Sequence, residues 1–372
     1  MGPGKAVVIG GSLSGLFAGL LLRSLGWHVQ VYEKSKYVLE SRGGGLLLHP
    51  EVLDLFSRAG LHPADIPVSV TRQRISLDRD GHPALIVPLS ERFTTWNALH
   101  RRLRAALPDS AWFPGFTLTA VEQEADSVVA HFDNGHEARA DLLVAADGGT
   151  STVRQLLFNT VSTTYSGLVA WRGVAAVEDV APRATAVLQH RQFYFEQDDA
   201  YFCGYPVPAD GGPEGYNWIW YRTADEAYEL PRLLTDRLGK RHPLHIAPGG
   251  VDPQVERALR HDAKEKLCWP LQALVSASSP PFLHAVVDVS VGRMVQGRVA
   301  LVGEAAFVSR PLLATGTARA ATNVMTLGDA LATSQDVAAA LRVWEPPQLA
   351  LGGWHVEDSR VQWNARAGAW GV

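Results

Sequence analysis

The sequence predicts an α/β fold in which a parallel layer, discontinuous along the chain, is interrupted by an inserted and mostly antiparallel β-sheet. Three observations predict it. Residues 5 to 33 read strand, glycine turn, helix, strand. Residues 160 to 285 change texture to alternating aromatic and polar residues. The first pattern then returns in GRVALVG and the small-residue helix behind it.

In order, KAVVIG is a short apolar run cut off by glycine, LFAGLLLRSLGW has helical apolar spacing, and HVQVYE alternates into a second strand. Together they make a βαβ unit. TTWNALHRRLRAAL (94 to 107) reads as a basic, Leu-rich helix, and ADLLVAADG (140 to 148) as another strand of the same layer. Within the insert, HRQFYFEQDDAYFCGYPVP and YNWIWYRT show the period of two expected of half-buried antiparallel strands, with turn clusters such as ADGGPEG between them. LPRLLTDRLGK (230 to 240) reads as a helix interrupting that sheet, and TARAATNVMTLGDALA as a helix of the returning layer.

A length of 372 residues fits about two domains. The expected division gives 1–70, 92–158 and 286–372 to the parallel-layer domain and 71–91 with 159–285 to the β-sheet domain. Hydrophobic residues make up 47% of the chain, enough for a sizeable core, and the net charge of −4 with no basic stripe argues against a nucleic-acid partner. Cys203 and Cys268 form no CxxC pair, so a disulfide framework or thiolate metal site is not expected. His242 and His245 are the nearest histidine pair, but Pro243 between them spoils a helical face and no metal site is expected. No signal-type h-region and no apolar run of membrane-spanning length occurs, which fits a cytoplasmic protein acting on a small molecule.

Three glycine-containing clusters carry the chemistry. The first, Gly10-Gly11-Ser12-Leu13-Ser14-Gly15, lies between a strand and a helix. Gly10 can make the tight turn, Gly15 lets the helix pack closely, and the helix N-terminus offers unpaired N–H groups to a pyrophosphate. Ser12 takes the middle position of GxGxxG. Glu33, eighteen residues after Gly15, ends the second strand, where a carboxylate accepts the hydroxyls of an adenosine ribose and disfavours a 2′-phosphate. The second cluster, Asp147-Gly148-Gly149-Thr150-Ser151-Thr152-Val153-Arg154, follows the apolar DLLVAA and taken alone is equally a simple turn. The third is GRVALVGEAA with Pro311 and Gly316-Thr317 beyond it.

With the three in order, the chain resembles the flavin-dependent aromatic hydroxylases of group A, with GxGxxG, DGxxSxxR and GRVxLxGDAAHxxxPxxGxG. Asp147, Gly148, Ser151 and Arg154 match the second motif fully. Within the family it looks closest to the 2,6-dihydroxypyridine 3-hydroxylase type, through the Gly-Gly-Ser turn, YSGLVAWRG (165 to 173), NWIWYR (217 to 222) and SRPLLATGTARAA. The resemblance implies the p-hydroxybenzoate hydroxylase fold, a Rossmann-like FAD-binding domain carrying an inserted β-sheet substrate domain. It implies FAD with its adenosine on Glu33 and Lys34 and its pyrophosphate on the Gly10 to Gly15 turn. Arg42, Gly43, Gly44, Arg101, Asp147 and Gly148 take further cofactor positions. Glu304 falls at the ribityl chain, and Pro311, Ala314, Gly316 and Thr317 at the flavin ring. The implied reaction is NADH- or NADPH-driven monooxygenation, in which O2 forms a flavin C4a-hydroperoxide that hydroxylates a small aromatic, heteroaromatic or polyketide-like ring, with water excluded. The nicotinamide is expected to bind transiently, since no second dinucleotide fingerprint occurs. The enzyme is expected to be a monomer or homodimer.

A base that deprotonates the ring hydroxyl is expected in such a site. His49 is the best single candidate, with Tyr216 beside it; His190, Tyr194, Tyr201 and Tyr205 are further lining candidates. Each of these sheet aromatics is first read as core packing. Three positions depart from the family: Glu304 replaces Asp, Phe307 replaces a common His, and Leu312 stands where the nearest subgroup often has His. The longer Glu304 arm shifts its carboxylate by about 1.5 Å. That departure leaves open a flavoprotein-fold isomerase or cyclase, and beyond it a non-catalytic binding protein.

Overall fold

The computed structural model describes residues 4–37, 44–158, 161–197, 200–209, 214–311 and 314–369. Arg42, Gly43 and Leu312 lie outside the described residues. Strand Lys5–Ile9 sits at the centre of a six-stranded sheet, flanked by His28–Glu33 and Leu142–Ala145, with Val299–Leu301 beyond the latter. These pairings are parallel and in register, Val8 opposite both Val31 and Val144. Their side chains are almost all apolar and buried, because helices cover one face of the layer and a three-stranded antiparallel sheet, Leu118–Gln123, Val128–Phe132 and Glu137–Ala140, covers the other, where Tyr32 stacks on Phe132 at 4.4 Å. The helix Leu13–Ser24 packs against Gly316–Thr333, and the 33-residue helix Val337–Ala369 continues from there across the molecule.

The second large sheet has eight strands, in the order His245–Ile246, Phe282–Val291, Val161–Ala176, Gly215–Thr223, Ala200–Val207, Arg191–Gln197, Gln73–Leu77 and Pro83–Pro88. All its pairings are antiparallel except Gln73–Leu77 with Arg191–Gln197. The strand Phe282–Val291 carries this sheet past the expected boundary at residue 285, because its apolar alternation runs on without a turn residue.

Strand parity divides the sheet into two faces. Phe193, Phe195, Phe202, Trp218 and Trp220 point to one face and are covered by the helices Pro182–Leu188, Pro253–Lys266 and Trp269–Ala277. Fully burying each of these rings contributes about 1.5–3 kcal/mol or more, so this face is the core of the insert. Leu168, Ala170, Tyr201, Ile219, Tyr221 and Val286 point to the other face, where Trp363 of the long C-terminal helix packs on them.

The expected helix over 230 to 240 is short: it spans Glu229–Leu233. Asp236 ends it, since its Oδ1 accepts from the amides of Leu238 and Lys240 at 2.9 and 3.0 Å, and Gly239 takes φ 80°. An Asx turn of this kind competes with helix for the same amides. His242 closes the turn, 2.7 Å from Asp236 Oδ2. The helices Pro253–Lys266 and Trp269–Ala277 fall inside what the sequence reads as sheet.

Candidate functional site

The turn after the first strand is shaped by close approach. Gly10 has φ 108°, a Cβ there would meet the carbonyl of Ala146, and a Cβ on Gly15 would strike the carbonyl of Gly10. Any side chain at either position would push the helix off the strand. Ser12 is the N-cap of the helix Leu13–Ser24 but makes no side-chain capping bond. The first amides of this helix therefore keep their donors directed outward, in the positive field of the helix N-terminus.

Glu33 is buried, and its two oxygens accept from the amides of Gly11 and Ser35, both at 2.8 Å. Each carboxylate oxygen has a second lone pair left for a hydroxyl. Below the turn, His100 Nε2 donates to the carbonyl of Gly11 at 3.1 Å and stacks on Trp96. Arg101, next on that helix, is exposed, as is Lys34.

The second motif is a capping device. Asp147 Oδ1 accepts from the Ser151 hydroxyl at 2.5 Å, and its Oδ2 accepts from the amides of Thr152 and Val153 at 2.7 and 3.1 Å. Burial raises the Asp147 carboxyl, while these bonds pull it back down. Gly148 has φ 79°, which turns the chain out of the strand. Arg154 is buried and donates to the carbonyls of Ala305, at 2.7 Å, and Gly149. Burial lowers its guanidinium.

The third motif meets the first directly, since Gly303 has φ 60° and a Cβ there would hit the Ser14 hydroxyl. The Gly303 amide donates to Asn323 at 3.1 Å. Glu304 follows with its side chain exposed and without a hydrogen bond or ion pair among the described residues. It acts electrostatically on Arg319, which is buried and whose Nη2 donates to the Phe307 carbonyl at 2.7 Å. Burial brings the Arg319 guanidinium down to about 10, and Glu304 acts in the opposite sense. Phe307, where the family often has His, is a core residue packed on Gly352 of the C-terminal helix. Beyond it Pro311 is exposed and Ala314 adopts φ 52°. Thr317 lies in the first turn of the helix that opens at Gly316, and a Cβ at Gly316 would meet no protein atom within 4 Å.

Three links hold the inserted sheet to these loops. Val289 and Val308 exchange both backbone hydrogen bonds, at 2.9 and 3.0 Å. Arg310 is paired with Asp288 at 3.2 Å, both buried. The strand Gly45–Leu47 is pinned by Asn217 Oδ1, which accepts from the Gly45 amide at 2.7 Å, and by the Tyr205 hydroxyl, which donates to the Gly45 carbonyl at 2.8 Å. Gly44 lies against the same Asn217.

That strand delivers His49 to the third-motif loop. His49 Nε2 lies 3.1 Å from the Ala314 carbonyl, which can only accept, so the proton is on Nε2 and Nδ1 is the basic nitrogen. Tyr194, Tyr201 and Tyr205 share the sheet face that looks toward these loops. Tyr216 does not. Its neighbour Asn217 takes the loop-facing position, and parity sends Tyr216 into the helix-covered core beside Phe193, 2% exposed. The reading of Tyr216 as catalytic is corrected accordingly. His190 is exposed in the turn before Arg191–Gln197, with φ 57°. Arg172, Asn217 and His284, which the sequence reading passed over, face the loops instead. The WRG and NWIW alternation could have flagged the first two.

The fit to a flavin dinucleotide rests on three features: an uncapped helix N-terminus at Leu13, the buried Glu33 carboxylate with lone pairs to spare, and Gly316, which faces open space at the start of the helix Gly316–Thr333. A family model described as FAD binding domain-like matches residues 165–288. The chain is 33% identical over 350 residues to the 2,6-dihydroxypyridine 3-monooxygenase of Paenarthrobacter nicotinovorans, covering 94% of this chain and 88% of that one. It is 26% identical to an FAD-dependent urate hydroxylase of Klebsiella oxytoca, over 92% and 85% of the two chains. The solved structure of 2,6-dihydroxypyridine-3-hydroxylase from Arthrobacter nicotinovorans superposes with a TM-score of 0.91 at 31% identity, covering 96% of this chain and 91% of that one.

Proposed function

The chain belongs to the FAD-dependent aromatic hydroxylases of the p-hydroxybenzoate hydroxylase fold, and on that premise we propose that it hydroxylates a small aromatic or heteroaromatic ring held between its inserted sheet and the third-motif loop. It is an FAD-dependent monooxygenase, and the relatives favour this over the isomerase reading. The chemistry that FAD supplies when bound is the transfer of one oxygen atom of O2 to the ring, with NADH or NADPH as the electron source.

The observation that carries the proposal is the convergence of all three motifs on one helix N-terminus: Gly10 against Ala146, Ser14 against Gly303, and Arg154 on Ala305. In this reading the amides of Leu13, Ser14 and Gly15 receive the pyrophosphate. Glu33 receives the ribose hydroxyls on its spare lone pairs, with Lys34 and Arg101 at the rim. Gly10, Gly11 and Ser12 shape the turn, and Asp147 with Gly148 fixes the chain beside it. Glu304 extends toward the ribityl hydroxyls. Pro311, Ala314, Gly316 and Thr317 border the isoalloxazine, where the helix N-terminus favours negative charge. Arg42, Gly43 and Gly44 complete the proposed cofactor positions. His49 takes the ring-hydroxyl proton on Nδ1, held in that tautomer by Ala314.

The sheet memberships support assigning the insert to the substrate and the parallel layer to the cofactor. Among the described residues no helix is long and apolar enough to cross a membrane; a cytoplasmic enzyme, monomeric or dimeric, is part of the proposal. The test is reconstitution with FAD and a panel of hydroxylated rings. Flavin absorbance, ring-stimulated NADH or NADPH oxidation and a product one oxygen heavier are expected. A ring product of unchanged mass would overturn the monooxygenase reading.

A further inference from the structure

Among the described residues, two buried donor atoms on the loop-facing side of the inserted sheet have no hydrogen-bond partner. Asn217 is completely buried, and its Oδ1 is fixed by the Gly45 amide, so Nδ2 is the amide nitrogen that remains; it meets no acceptor. Nε of Arg172 is likewise buried and unpaired. Arg172 lies opposite Ile219 and Asn217 opposite Val174, so the two are diagonal neighbours on one face. Both also lie against Gly44, four residues along the chain from Leu48 and five from His49.

Native interiors rarely leave such groups unsatisfied, because each costs about 1–3 kcal/mol and more when charged. Here the surroundings do nothing to cancel the charge. Among the described residues no carboxylate forms an ion pair with Arg172. Its contacts are the oxygen of Tyr205, whose own proton is committed to Gly45, and the ring of Phe282 at 5.7 Å. Other titratable groups facing it include His284, His245 across the strand pair, and Tyr221, whose hydroxyl burial raises while Arg172 acts in the opposite sense. Burial, Arg172 and His245 together bring the His284 imidazole down to about 3, so it is neutral beside the guanidinium at neutral pH. One permanent cation and one amide donor therefore face the same space unopposed.

We propose that Arg172 and Asn217 form an oxyanion anchor that selects rings bearing an ionised exocyclic oxygen, a phenolate or its nitrogen-heteroaromatic equivalent. This rests on the ring-hydroxylase reading above. An ionised oxygen raises electron density on the ring carbons ortho and para to it, the carbons an electrophilic oxygen attacks. Arg172 and Asn217 thus bind the reactive form of the substrate, while His49 lies on the opposite side of the strand Gly45–Leu47 from them along the chain.

The test uses the FAD-loaded enzyme with 2,6-dihydroxypyridine, 4-hydroxybenzaldehyde and their O-methyl ethers, read by perturbation of the flavin spectrum across the hydroxyl pKa of each probe. The wild type is expected to bind the ionised forms about tenfold or more tightly than the ethers, as a charge-assisted bond does. R172M is expected to lose that preference and its pH dependence with the FAD content unchanged. N217D keeps the acceptor for Gly45 but places a carboxylate beside Arg172, and is expected to lose the preference too without disturbing the fold. An R172M or N217D enzyme that keeps the wild-type preference for ionised rings overturns the anchor. Binding of no ring by an enzyme that holds FAD overturns the ring-hydroxylase reading itself.

Discussion

Arg154 donates from Nη1 to the Ala305 carbonyl at 2.7 Å, and this bond ties the second motif to the turn that carries Glu304. Arg154 itself is buried, so it acts on the site by holding the backbone of that turn.

Truncating that side chain leaves the Ala305 and Gly149 carbonyls without their donor. R154M is expected to lower stability by about 2–4 kcal/mol and to weaken FAD binding, with R154K recovering part of both. Urea unfolding of the FAD-free protein, followed by FAD titration, separates the two effects. Unchanged FAD affinity in R154M would mean that the third-motif turn holds its shape without this bond.

Glu304 behaves in the opposite way, being exposed and unpartnered among the described residues. E304A is expected to change stability by no more than about 0.5 kcal/mol, as surface substitutions do. FAD affinity is expected to fall about tenfold, and E304D to lie between. Equal affinities in the wild type and E304A would show that this carboxylate does not reach the cofactor.

Ala314 holds φ 52°, a conformation that costs a residue with a Cβ about 1–2 kcal/mol. A314G is expected to stabilise the protein by up to about 1 kcal/mol, and A314V to destabilise it. The His49 contact uses the Ala314 backbone and survives both changes. The shift in Tm measures this, and a fall in Tm for A314G would refute the strain.

His284 is brought down to about 3 in the folded protein, against an ordinary value near 6.5 when unfolded. The unfolded chain therefore binds the proton first. The stability that neutral His284 contributes is complete above about pH 6.5 and is lost as pH falls from there toward 3. H284Q is expected to remove about 2 kcal/mol of the stability difference between pH 7.5 and pH 5. Denaturant midpoints at the two pH values give the comparison, and parallel losses in both proteins would place the acid sensitivity elsewhere.

The parallel layer was legible because its signals are local. Gly10 and Gly15 are required by backbone approach, and Glu33 by its place at a strand end, so spacing alone located them. The sheet was legible as alternation, yet its faces were not. Tyr216 and Asn217 are adjacent, and nothing in YNWIW states which of the two periods turns toward the loops. The Asx turn at Asp236 was hidden for a related reason: LPRLLTDRLGK has helical spacing, and only the competing side-chain bonds to Leu238 and Lys240 end it.

By itself the sequence determined the first βαβ unit and the three motifs, since those depend on backbone geometry within a few residues, and the motifs in order carried the family resemblance that gave the cofactor class. Tertiary structure alone decided what each motif touches. It made Asp147 and Arg154 braces, left Glu304 facing out, set the tautomer of His49 through Ala314, and placed Arg172 beside Asn217. Those outcomes depend on which strand faces pair and which donors burial leaves unsatisfied. Both are properties of residues far apart in the chain, set only when the two sheets close on one another.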